Sequence, residues 1–195
     1  VLIMENIYCV TLNKNNLSNF LTFQKENPGF IKEGEKLYIL DLDGIEKNMP
    51  NLEFYQKISS LYDLWIDCGP RNIGDIVDIF MTGATSVTIR RQLFPLLNLS
   101  DIRDISENSV FLNIDHQYLD INDIFLKEFD GFVNFNSREE VEQDIRLHEL
   151  IIRIIKQNKV YCYENNDKNF LFWKVLGVTG LLVEIDKLKV LKNGI

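Results

Sequence analysis

Six carboxylates close or follow apolar runs in this sequence: Asp41, Asp43, Asp67, Asp115, Glu164 and Glu184. Such side chains transfer protons when their surroundings tune them to the working pH. Oxygen-rich groups of them also bind Mg²⁺ or Ca²⁺. These six come from separate segments and lack the spacing of a ligand loop, so no metal is expected. The two histidines, His116 and His148, make no zinc set. His148 lies three residues after Ile145 and four before Ile152, which places it on a helix face. His116 adjoins Asp115, where it can tune or relay a proton, or serve as an ordinary loop residue. Arg90 and Arg91 form an adjacent cationic pair that either grips an anion or balances surface acid. No P-loop, nucleophile elbow, GxGxxG or HExxH spacing occurs, and no cofactor is expected.

Eight short runs rich in β-branched and aromatic residues must carry these groups. They are Ile7 to Leu12, Leu37 to Leu42, Leu64 to Cys68, Ser86 to Ile89, Val110 to Ile114, Gly131 to Phe135, Val160 to Tyr163 and Gly180 to Ile185. They are apolar almost throughout instead of alternating, as strands of a parallel sheet covered on both faces are. Helical stretches separate most of them. Asn51 is placed to cap a helix reaching Leu61, and Asn72 to cap Ile73 to Met81, with Gly83 just past its end. Ser137 to Glu140 has the form of a capping box, opening a helix to about Lys156 with Val141, Ile145, Ile152 and Ile155 on one face. A last helix begins at Asn166 or Asp167 and stops at Gly177. This alternation predicts one domain over residues 1–195, a compact (β/α)₈ TIM barrel with short βα loops.

Composition narrows the partners. Twenty-nine acidic against 21 basic residues give a net charge of −8 without a clustered basic face, so neither nucleic acid nor an anionic membrane is an expected partner. The opening VLIMENIYCV is too short in apolar character for a signal or a membrane span. Cys9, Cys68 and Cys162 are odd in number, widely spaced and set in apolar runs. Reduced core thiols of a cytoplasmic protein are the expectation. Oligomeric state is not legible in the sequence.

Two segments carry a family resemblance. Leu37 to Ile45, reading LYILDLDGI, with Asn51, Leu52 and Glu53 beyond, resembles the second strand and following helix of the ProFAR isomerases. Trp65 to Asn72 resembles that family's glycine phosphate loop after strand three, with Met81 to Thr85 similar to its approach to strand four. Leu176 to Val183 and Asn193 to Ile195 are similar to its eighth strand and tail. The resemblance spans nearly the whole chain, is specific over residues 37–91, and looks closest to the ProFAR-isomerase-related (HisA-like) proteins of methanogenic archaea.

The resemblance implies an aldose–ketose isomerisation by two opposed carboxylates, with glycine loops holding two phosphates. Asp115 stands at the end of strand five, where the family has its acid. At the family's strand-one base this chain has Thr11, and Asp41 or Asp43 could substitute or could tie down loops. Of the first phosphate site Gly69 and Arg71 remain, beside Arg90 and Arg91, while Asp67 and Cys68 replace two glycines. Glu164 and Glu184 occupy the second phosphate region and would repel a phosphate. The expectation is an isomerase-like enzyme for a small, singly phosphorylated or otherwise anionic metabolite, related to histidine biosynthesis but not isomerising ProFAR. The alternative is a non-catalytic barrel that binds a metabolite or a partner protein.

Overall fold

The computed structural model describes residues 4–13, 17–95, 97–114 and 126–185. Eight parallel strands follow one another round a closed barrel. They are β1 (Glu5–Leu12), β2 (Lys36–Asp41), β3 (Asp63–Asp67), β4 (Ser86–Ile89), β5 (Ser109–Ile114), β6 (Gly131–Asn134), β7 (Val160–Tyr163) and β8 (Gly180–Glu184). The described helices are α1 (Leu17–Glu26), α2 (Leu42–Lys47), α3 (Leu52–Ile58), α4 (Ile73–Met81), α5 (Leu99–Arg103), α6 (Arg138–Gln143), α7 (Ile145–Ile155) and α8 (Phe170–Leu176). The fold is a (β/α)₈ TIM barrel, as the rhythm of apolar runs predicts. The chain divides into two compact units, residues 8–109 and residues 1–7 with 110–195.

In the 8–109 unit, Tyr38 pairs with Trp65 and Leu40 with Asp67 in the β2–β3 register. Beyond the first residue of β2 and of β3, every residue of these strands and of β4 is buried, which accounts for their unbroken apolar sequence. One face of the sheet meets the helices. The other carries Tyr38 and Trp65, whose rings meet edge-on at 5.0 Å. Asn72 caps α4 through the Asp75 amide, and Gly83 follows the helix with φ 94°. Asn51 stands at the predicted N-cap of α3, but its side chain makes no capping bond. Its side-chain amide turns to Asp41, and α3 ends at Ile58, short of the predicted Leu61.

In the other unit, Phe111 of β5 and Tyr161 of β7 meet edge-on at 5.9 Å. Ser137 and Glu140 form the predicted capping box. The helix behind it is not continuous, however. Asp144 leaves helical geometry and becomes a second N-cap, accepting from the amides of Arg146 and Leu147. The break resets the buried face to Leu147, Leu150, Ile151 and Ile154 and leaves Ile145 72% exposed, against the face read from a single helix. A 3₁₀ turn at Asp167–Asn169 leads into α8, which Gly177 ends at φ 95°.

Cys9, Cys68 and Cys162 are free thiols, each no more than 3% exposed. Burial raises the pKa of Cys68 and of Cys162, with Asp67 adding to the shift at Cys68. Because the thiolate is the reactive form, native protein should leave Ellman's reagent colourless over minutes, and denatured protein should titrate all three cysteines. Rapid native labelling would show that the strands open readily. Among the described residues, no helix is long and apolar enough to cross a membrane.

Candidate functional site

On the face of β2–β4 away from the helices lies a buried polar network. Asp67, fully buried at the C-terminal end of β3, accepts from Arg90 Nε at 2.9 Å and from Arg90 Nη2 at 2.7 Å. Tyr38 donates its hydroxyl to Asp67 Oδ2 at 2.8 Å and lies 3.2 Å from Thr88 Oγ1. Trp65 Nε1 donates to Thr88 Oγ1 at 2.8 Å. Burial and the neighbouring Asp67 hold the Tyr38 pKa well above its ordinary value, so the phenol remains a donor. The Arg90 side chain keeps 20% of its surface exposed while that of Asp67 keeps none, so the pair presents its cationic side to solvent. Strand parity brings these groups together. Asp67 lies two residues beyond Trp65 and Arg90 two beyond Thr88, and successive residues of a strand point to opposite faces.

Asp41 points to the other side, toward the helices. Its carboxylate accepts from the amides of Asp43, Gly44 and Asn51, at 3.1, 3.2 and 2.8 Å, from Asn51 Nδ2, and from the Tyr55 hydroxyl. It caps α2 and ties down the segment joining α2 to α3. Asp43 is buried and holds Lys47 at 2.6 Å, one turn along α2.

Gly69 and Arg71 also serve the scaffold. Gly69 has φ 66°, and a Cβ there would lie 2.6 Å from Leu93 Cδ1 and 3.0 Å from Ile45 Cα. Close packing and a left-handed backbone therefore require this glycine without any bound phosphate. The Arg71 guanidinium donates to the carbonyls of Gly44, Ile45 and Gly69 and to Asn48 Oδ1, at 2.7–3.2 Å. Four acceptors around one arginine hold the end of α2 against the β3 loop. Gly44 carried no expected role. A Cβ there would come 2.5 Å from the Cys68 carbonyl oxygen, so it sets the approach of α2 to β3.

Thr11 lies half-buried near the end of β1, paired with Leu40 of β2. Arg91 is half-buried in the turn after β4, one residue beyond the buried ion pair. Asp115 and His116 lie outside the described residues. In the second unit Glu164 does for β7 what Asp41 does for β2: it accepts from the Asn166 amide, Asn169 Nδ2 and Trp173 Nε1 at 2.8–3.0 Å. Glu184 accepts from the Tyr163 hydroxyl at 3.0 Å. The described acidic groups read from the sequence, Asp41, Asp43, Asp67, Glu164 and Glu184, thus each have protein partners within their own unit. Among the described residues, no three His, Cys, Asp or Glu side chains come together as a metal site.

No family model matches the chain, and no curated protein does. The likeness is to solved structures. A dihydrodipicolinate synthase family protein from Coccidioides immitis superposes with a TM-score of 0.54 at 12% identity over 92% of this chain. That likeness shows the fold alone. The chain spans 65% of that protein's length. Since one barrel architecture hosts many chemistries, function is argued below from residues.

Proposed function

We propose that this protein is an isomerase-like enzyme, related to the ProFAR isomerases, acting by acid/base catalysis on a small phosphorylated metabolite. The observation carrying this reading is the Asp67–Arg90 pair at the C-terminal ends of β3 and β4. Conserving apolar packing there would be simpler, because a buried ion pair contributes little net stability over well-packed apolar residues. The C-terminal ends of barrel strands are also where TIM-barrel chemistry takes place. Asp67 fixes the guanidinium plane, so Arg90 meets an anion with its orientation already set, Arg91 adding charge. Asp115 takes the acid/base role that the resemblance gives it. The isomerisation of ProFAR itself is not proposed, because Thr11 replaces the base.

A second reading, a non-catalytic barrel that binds a metabolite or partner, is favoured by Arg71 and Asp41. Arg71 remains from the resembled phosphate loop and Asp41 is a candidate substitute for the base, yet both bond to the scaffold.

Thermal unfolding with inorganic phosphate, sugar phosphates and ProFAR tests the proposal. A specific ligand at about 100 times its Kd should add about 2.7 kcal/mol. The gain should vanish in Arg91→Ala and in Asp67→Leu/Arg90→Met, which removes the cation without stranding a charge. Binding that persists in Asp115→Asn while turnover stops supports the enzyme. Binding with no turnover in any variant favours the second reading, and no binding of any phosphate sinks the first.

A further inference from the structure

A second feature of the 8–109 unit lies at the opposite ends of its strands. The loops leading into β2 and β3, with the last turns of α1 and α3, enclose a groove of about 470 Å³. Leu21, Ile31 and Leu61 supply its apolar lining, and Lys25, Lys32 and Lys57 stand around it. All three lysines are exposed. None of their ammonium groups forms an ion pair among the described residues, although acidic residues outnumber basic ones 29 to 21 in this chain, and the Lys32 backbone amide donates to the Glu35 carboxylate at 3.0 Å. Glu33 is the only acid among the described lining residues. Four bases of the chain form ion pairs among the described residues, Lys36 with Asp63, Lys47 with Asp43, Arg90 with Asp67 and Arg138 with Glu142, and none of these lines the groove.

The walls are fixed before anything binds. Gly34, at φ 79°, donates its amide to the Leu61 carbonyl at 2.8 Å, joining the two loops. Phe30 is clamped between Phe23 and Tyr8, with ring centroids 5.3 and 5.6 Å away, and its carbonyl accepts from the Tyr8 hydroxyl. Gln24 donates to the Tyr62 hydroxyl across the groove. A preformed apolar floor ringed by unpaired cations suits an occupant with apolar side chains on one face and carboxylates beside them.

We infer that this groove docks an acidic, amphipathic segment of a partner protein, its apolar side chains on Leu21, Ile31 and Leu61 and its carboxylates on Lys25, Lys32 and Lys57. Charge complementarity selects this occupant. Three lysines against one glutamate in the described lining match a segment that carries more carboxylates than bases.

The test is fluorescence anisotropy of a labelled peptide with a leucine stripe on one face and glutamates elsewhere. Controls are the same peptide with lysines for glutamates, and phosphatidylserine vesicles. Binding is expected only for the acidic peptide. It should weaken at least about tenfold in Lys25→Gln/Lys32→Gln/Lys57→Gln and fall with added salt. Leu61→Ser should weaken it separately. The thermal midpoint of each variant, kept near wild type, shows that the fold persists. Hydrogen exchange should slow in residues 21–33 and 57–62 when the peptide is bound. Absence of binding, equal binding by the triple variant, equal binding of the basic peptide, or preference for vesicles each overturns the inference.

Discussion

Replacing Asp67 with alanine should cost about 3–5 kcal/mol of unfolding free energy, because it breaks an ion pair whose carboxylate is fully buried and whose cation is mostly so. Arg90 gives two of its N–H groups to that carboxylate, and the Tyr38 hydroxyl gives a third hydrogen bond. With the carboxylate gone, the guanidinium loses both hydrogen bonds and the charge that Asp67 gives it. Tyr38 is left with the Thr88 hydroxyl, which already accepts from Trp65. The second half of the experiment is the more informative. Asp67→Leu/Arg90→Met removes both charges and fills the space, so most of the loss should be recovered, to within about 1–2 kcal/mol of wild type. Urea unfolding followed by circular dichroism reads all three proteins. A loss below about 1 kcal/mol in the single variant would mean that water solvates the arginine and that the network organises nothing. A recovered double variant that no longer binds phosphate would separate the pair's contribution to binding from its contribution to stability.

The elements were legible because each run carries a local signal that agrees with the fold. Strands covered on both faces need unbroken apolar residues, and β4 and β7 match their predicted bounds. Asn72, Ser137 and Gly177 end or start helices through their own side chains or backbone freedom, which is local chemistry. The errors arise where a polar side chain took a partner that its residue type does not announce, distant in one case and local in the other. Asn51 has the residue type of a cap, yet the Asp41 carboxylate ten residues earlier claims its amide. Asp144 reads as one more polar residue on a helix surface until its carboxylate accepts two amides and starts a new helix. The site residues were the least legible. Arg71 and Arg90 are cations in a region where the resemblance implies a phosphate. Nothing in their spacing tells that Arg71 meets carbonyls from residues 44, 45 and 69, or that Arg90 meets Asp67. Tyr38, Trp65 and Thr88 were missed altogether. Strand parity is the signal that points to them, since Trp65 and Thr88 each lie two residues before a residue of the ion pair and Tyr38 is in register with Trp65.

Asp41→Ala should destabilise the protein by about 3–4 kcal/mol, a few buried donors each losing a partner at about 1–3 kcal/mol with some regained from water. Five donors converge on this fully buried carboxylate: three backbone amides, the Asn51 side chain and the Tyr55 hydroxyl. A carboxylate offers about four lone-pair sites, so its two oxygens have no room for a substrate proton. Two readings of Asp41, a stand-in base and a loop tie, therefore predict different results. A base would lose turnover on substitution with little change in stability. A tie would lose stability first, and the amides of Asp43, Gly44 and Asn51 would lose protection from hydrogen exchange. Asp41→Asn sharpens the distinction. It keeps the shape and one acceptor oxygen, but its NH₂ faces donors where an oxygen stood, so it should still cost about 2–3 kcal/mol. Glu164, which ties β7 to α8 through Asn166, Asn169 and Trp173, supplies the matching control in the other unit. If Glu164→Gln and Asp41→Asn destabilise alike and exchange opens only around the substituted residue, both carboxylates act as ties. The chemistry of the barrel then rests with groups that keep a solvent-facing side, Arg90 first among them. If Asp41→Asn leaves stability intact and abolishes turnover, the tie is dispensable and Asp41 returns as the proton-transfer group.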